Sequence, residues 1–109
     1  MLYITIEDFY AQAGAAVRLT REQERDCAAA MAASDTDARR RLIQSYLPYA
    51  ASAIRRAPRQ IQTLHTVYAA VAVLEKAVDT FDFQQEGETF AHYLSWRLRR
   101  CLTRCIAEQ

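Results

Sequence analysis

Apolar residues recur at every third or fourth position along most of the chain, and nowhere do they alternate with polar ones as in a half-buried strand. The clearest stretch covers residues 64–81, where Leu64, Val67, Val71, Leu74, Val78 and Phe81 share one helical face. A second covers residues 90–106. There Leu94, Leu98, Cys101, Leu102, Cys105 and Ile106 form an inward stripe, while Tyr93, Trp96, Arg97, Arg100, Thr103 and Arg104 collect on the outward side. The polar run 84–88, with Gly87 inside it, separates these helices, so they are expected to fold back on each other as antiparallel neighbours.

Upstream, Thr5 and Asp8 cap a short helix that holds Ile6, Phe9 and Tyr10 and ends near Gly14. Thr20 with Gln23 three residues on is a capping box that opens a second helix, from Arg21 to about Ala33. Its thin stripe of Cys27, Ala28, Met31 and Ala32 permits close approach by a neighbour. Residues 34–37 break that helix and cap a third, with Ala38, Leu42 and Ile43 inward and Arg39, Arg40 and Arg41 around the rest. Pro48 either kinks the third helix or begins a new one, and Tyr49, Ala50, Ala53, Ile54 and Ala57 carry the apolar period on to Pro58. Residues 58–63 are expected to be a loop. The pattern predicts an all-α fold: a compact orthogonal or antiparallel helical bundle of about five helices. Residues 1–18 supply a short helix and linker, and residues 19–109 the main body of one continuous domain.

Composition agrees with helix nearly throughout, since Gly and Pro number only two each. A chain of 109 residues can bury a modest core without disulfides or metal. The net charge of +1 excludes a generally basic binder, but Arg gathers at 39–41, 55–59 and 97–104, so local basic surfaces are expected. Cysteines are three, an odd number, and no signal peptide or membrane-spanning apolar run is present. That combination points to the cytoplasm, with reduced thiols. Cys101 and Cys105 lie one turn apart on the apolar stripe, and His92 is on the far side of the helix from Cys105. These thiols therefore read as small buried hydrophobes, without a metal. No nucleophile stands near a base, and there is no glycine-rich phosphate loop or recognisable carboxylate pair; His65 and His92 are isolated. Neither an enzyme nor a cofactor is expected.

The outward face of the last helix is open to two readings. Tyr93 and Trp96 can pack under another helix of the same domain while the Arg side chains snorkel around them. Alternatively, rings and guanidinium groups on one surface suit nucleic acid, whose bases stack on aromatics while its phosphates are neutralised.

Four blocks, in order over residues 19–109, resemble the N-terminal conserved part of the sigma-seventy family, the promoter-recognition subunits of bacterial RNA polymerase. Leu19-Thr20-Arg21-Glu22-Gln23-Glu24 is similar to that family's LTxEEE opening, and Ser34-Asp35-Thr36-Asp37-Ala38-Arg39 through Leu42-Ile43 to its GDxxAxxxLI element. Ala77-Val78-Asp79-Thr80-Phe81-Asp82 resembles AVxxFD. Phe90-Ala91-His92-Tyr93-Leu94-Ser95-Trp96-Arg97-Leu98-Arg99, continuing through Thr103-Arg104-Cys105-Ile106-Ala107-Glu108-Gln109, resembles FSTYAxWWIRxxITRxIAxQ.

The resemblance implies a helical domain of the sigma region-two type whose last helix opens the minus-ten promoter element and holds the displaced single strand. Phe90, Tyr93 and Trp96 match the family's melting aromatics, and Arg100 and Thr103 the positions that meet minus-ten bases; Arg97 and Arg104 would hold the phosphates beside them. It further implies RNA polymerase core as partner, through the helix of residues 64–81 and its Leu64, His65, Tyr68, Ala69, Val71 and Glu75. The family's DLIQEG docking signature is replaced there by His65, Thr66, Val67, Tyr68, Ala69 and Ala70, and its paired tryptophans by Trp96 and Arg97. No helix-turn-helix module for the minus-thirty-five element follows by Gln109, which fits either a piece of a longer sigma factor or a short relative. The rival expectation is a diverged protein-interaction module, an adaptor or homodimer without melting activity. An anti-sigma factor is a further candidate partner, and a membrane is not.

Overall fold

All but one of the described α-helices start where a side chain satisfies the free amides of the first turn. Thr5 Oγ1 accepts from the Asp8 amide while Asp8 Oδ2 accepts from the Thr5 amide, and Thr20 and Gln23 form the same reciprocal pair. Asp35 Oδ1 caps the third helix through the amides of Asp37 and Ala38, and Thr63 and Thr89 cap the last two. The computed structural model of the chain describes residues 3–109. Among the described residues these caps open α1 (Ile6–Gly14), α2 (Arg21–Ala32), α3 (Thr36–Ser45), α5 (Leu64–Thr80) and α6 (Phe90–Ala107). Helix α4 (Leu47–Arg55) begins without a side-chain cap, and there is no strand among the described residues.

Pro48 breaks the chain rather than kinking it. Tyr46 ends α3 and begins α4 at φ −107° and ψ 1°, and Pro48 sits in the first turn of α4, where its missing N–H costs nothing. With that break the described residues form six α-helices, against an expectation of about five. The 58–63 connection contains a 3-10 turn, Arg59–Ile61, pinned by the buried Ile61 side chain.

Helix α5 is the central element and packs on α6, α4, α3 and α1. Its Val67, Val71, Leu74 and Val78 are buried as the pattern predicted, together with Thr66, Ala70 and Ala77. Of the predicted row, only Leu64 and Phe81, at its two ends, are partly exposed. The neighbouring helices thus supply the cover that its apolar run demands. Arg39 on α3 reaches Asp79 on α5 through two bonds, Nε to Oδ1 at 2.7 Å and Nη2 to Oδ2 at 3.0 Å. Both side chains are partly solvated, so this fork aligns the helices more than it stabilises them.

On α6 the inward stripe holds for Leu94, Leu98, Cys101, Leu102 and Cys105 but not for Ile106. Successive i, i+4 steps overrun a full turn by about 40°. Exposure climbs accordingly along one row, from 3% at Leu98 and 9% at Leu102 to 45% at Ile106.

Candidate nucleic-acid interface

The first turn of α6 is anchored by aromatics. Phe90 is 3% exposed, with its ring centroid 4.7 Å from Tyr46, 5.3 Å from Phe81 and 4.9 Å from Phe83, on which it stacks. The expectation that Phe90 meets a base is therefore corrected: it is the back wall that positions the next turn. Helical rotation places it on the Leu94 side, and the 81–83 segment closes over it.

One turn on, Tyr93 is half-buried against Phe81, at 5.1 Å between centroids. Its hydroxyl accepts from Arg97 Nη1 at 2.7 Å and shares a hydrogen bond with Thr80 Oγ1 at 3.1 Å. The Thr80 bond, with the bond and charge of Arg97, pulls this phenol below the usual tyrosine range against the opposing effect of burial. Arg97 also lies over the ring, 5.5 Å from its centroid, so the two side chains are locked as a unit.

Trp96 is 58% exposed, and the Arg100 guanidinium carbon stands 5.9 Å from its ring centroid. Tyr93, Trp96, Arg97, Arg100 and Arg104 together line an open groove of about 510 Å³, with Val73 of α5 on the facing wall. Arg97, Arg100 and Arg104 form no salt bridge among the described residues. The one carboxylate in the lining, Glu88, accepts from or pairs with His92 Nδ1 at 2.9 Å. Cys101 also lines the groove; burial, then the neighbouring Cys105, pushes its thiol up to about 11, so it stays protonated at neutral pH.

Thr103 is exposed but lines a different groove, between α4 and α6. Of seven expected contacts, five are therefore gathered, one is across the helix and one is core. Sequence reading missed Val73, which α5 contributes and no local signal announces. It also missed the Glu88–His92 pair, although an i, i+4 acid and histidine at a helix start is a readable signal.

The expected partner face on α5 is divided in the same way. His65 is exposed, Tyr68 is 38% exposed, and Leu64, Ala69 and Glu75 are half-buried. Val71 is buried, because it belongs to the Val67, Leu74 and Val78 row, and it is removed from that face. The Tyr68 hydroxyl donates to the Tyr3 carbonyl at 2.9 Å and accepts from the Tyr3 amide at 2.8 Å. The N-terminal segment is thus seated against Tyr68, with the Tyr3 ring between Tyr68 and Phe9.

No protein-family model matches the chain. Among curated proteins it is similar to the RNA polymerase sigma factor SigA of Clostridium acetobutylicum, of Listeria monocytogenes and of Listeria innocua. Each is 34% identical over 92 residues, which cover 84% of this chain and 24% of the relative. The chain thus spans about a quarter of the length of these relatives.

Proposed function

The chain is a distant relative within the sigma-seventy family of RNA polymerase sigma factors, and from that premise we propose that it is a transcription-initiation module whose α6 groove receives single-stranded promoter DNA of the minus-ten region. The observation that carries this reading is the exposed Trp96 ring beside Arg100, flanked by Arg97 and Arg104 without carboxylate partners. A base stacked on an aromatic ring gains ~1–3 kcal/mol, comparable to the stacking lost when a base step opens. Trp96 would take that base. Tyr93, its hydroxyl tied to Arg97 and Thr80, offers a second ring at the groove wall, and Arg100 and Arg104 would follow the phosphates. Thr103, across the ridge, lines the groove on the other side of α6 and lies outside this contact. No chemical step is assigned to any residue, and the setting is the cytoplasm.

RNA polymerase core is the proposed protein partner, with His65 and Tyr68 and the half-buried Leu64, Ala69 and Glu75 as the face that meets it. One observation favours the second reading, an interaction module without melting activity: the Tyr68 hydroxyl is already occupied by Tyr3. A homodimer or an anti-sigma factor would then be the partner.

Anisotropy titration of a labelled single-stranded minus-ten oligonucleotide separates the two. Two phosphate contacts, at Arg100 and Arg104, predict a log–log salt slope of about −1.4, from about −0.7 per contact. Trp96→Ala should weaken binding by about 5- to 150-fold, the equivalent of one stacked base. Binding that ignores both salt and Trp96→Ala refutes the nucleic-acid reading, and failure to retain purified core polymerase in a pull-down refutes the polymerase role.

A further inference from the structure

Across α6 from Trp96, a groove of about 690 Å³ runs between α4 and α6. Its apolar lining includes Tyr49, Ala53 and Pro58 on one side and Leu98, Leu102 and Ile106 on the other. Ile106 is among the few large hydrophobic side chains left exposed. Arg56, just past α4, and Arg99, on α6, are exposed in the lining; neither forms a salt bridge among the described residues, and no acidic residue lines the groove.

We propose that this groove receives an amphipathic helix of a protein partner, apolar along the side laid on Leu98, Leu102 and Ile106 and acidic where it meets Arg56 and Arg99. Two helices side by side with an apolar furrow between them present the i, i+3, i+4, i+7 anchor spacing that a third helix fills. The two free guanidinium groups select the charge of the flanks, since a desolvated Arg without a partner opposes binding and one facing a carboxylate does not. Nucleic acid fits poorly. Tyr49 is the single ring in the lining, and aliphatic side chains offer bases no stacking surface. A second copy of the chain meeting the same patch about a two-fold axis would set Arg56 and Arg99 against their own images. This site is independent of the α6 groove on the other side.

Panning a library of helical peptides, randomised along one face, against the whole chain tests the inference. Enrichment of apolar residues at helical spacing with Asp or Glu beside them is expected. A labelled enriched peptide should lose at least ten-fold in affinity on Ile106→Glu and on Arg99→Glu, with the helical circular dichroism of both variants retained. Ile106→Glu should leave oligonucleotide binding as it was. Basic or uncharged selected peptides, no enrichment, affinity indifferent to Ile106→Glu, or displacement of the peptide by the oligonucleotide each overturn the proposal. A concentration-dependent dimer in sedimentation that Ile106→Glu abolishes overturns it as well, by making the occupant a second copy.

Discussion

At the scale of single residues, Ser34 bears the clearest local conflict. It lies at φ 74°, the left-handed region, at the C-terminal cap of α2. Its amide reaches the Met31 carbonyl at 2.9 Å and the Asp35 amide reaches the Ala30 carbonyl at 3.0 Å, the two bonds of a Schellman closure that favours glycine. An L-residue there costs about 1–2 kcal/mol, and glycine returns about 0.5–1 kcal/mol of that as unfolded-chain entropy. Ser34→Gly is thus expected to stabilise the protein by roughly 0.5–1 kcal/mol, seen as a melting temperature higher by roughly 2–6 °C. No rise in thermal scans would mean that the position carries no strain. Ser34-Asp35 stands where the sequence matches a Gly-Asp pair of the family pattern, so the substitution was legible as a departure, but its backbone cost was not.

At the scale of elements, Tyr46 joins three helices. It closes α3, opens α4, and its hydroxyl donates to Glu24 Oε2 of α2 at 2.5 Å. Burial first, then the bond to Glu24, pushes this phenol far above its ordinary value of 10.0. A group whose folded pKa is raised contributes stability that is complete below its unfolded pKa and is lost as pH rises beyond it. The loss should begin near pH 10 and continue upward. Cys101 adds a loss in the same direction between 9.0 and about 11. Tyr93 opposes them, because its lowered phenol ionises first in the folded state, but its ring is only half-buried. The net expectation is a melting temperature that falls from pH 9 to pH 11, less steeply in Tyr46→Phe, whose phenyl ring does not ionise. Parallel slopes for the two proteins would dismiss the assignment to Tyr46.

At the scale of the whole molecule, the N-terminal segment is fastened to the centre of the bundle through Tyr68, a separation of 65 positions in the chain. Tyr68→Phe removes both bonds to Tyr3 and should cost about 1–3 kcal/mol. Faster hydrogen exchange at the Tyr3 and Phe9 amides, with α6 amides unchanged, is the expected signature. Unchanged exchange at Tyr3 would place its anchorage elsewhere, in the ring contact with Phe9. The α5 run Ala69, Ala70, Val71, Ala72 and Val73 is apolar throughout, and α1, α3, α4 and α6 enclose all but the outer Ala72 and parts of Ala69 and Val73.

Periodicity and capping chemistry act within a turn or two of the chain, so the sequence alone determined the helices, the residues that begin them, the α5 core row and the ring-and-guanidinium side of α6. What lies opposite a residue depends on elements distant in sequence, and only the tertiary structure decided that. It sank Phe90 beneath Tyr46, Phe81 and Phe83, lifted Ile106 to the surface and parted Thr103 from Trp96 by the ridge of α6. Helical rotation fixes which side chains point the same way, and burial is settled by whether another helix arrives there.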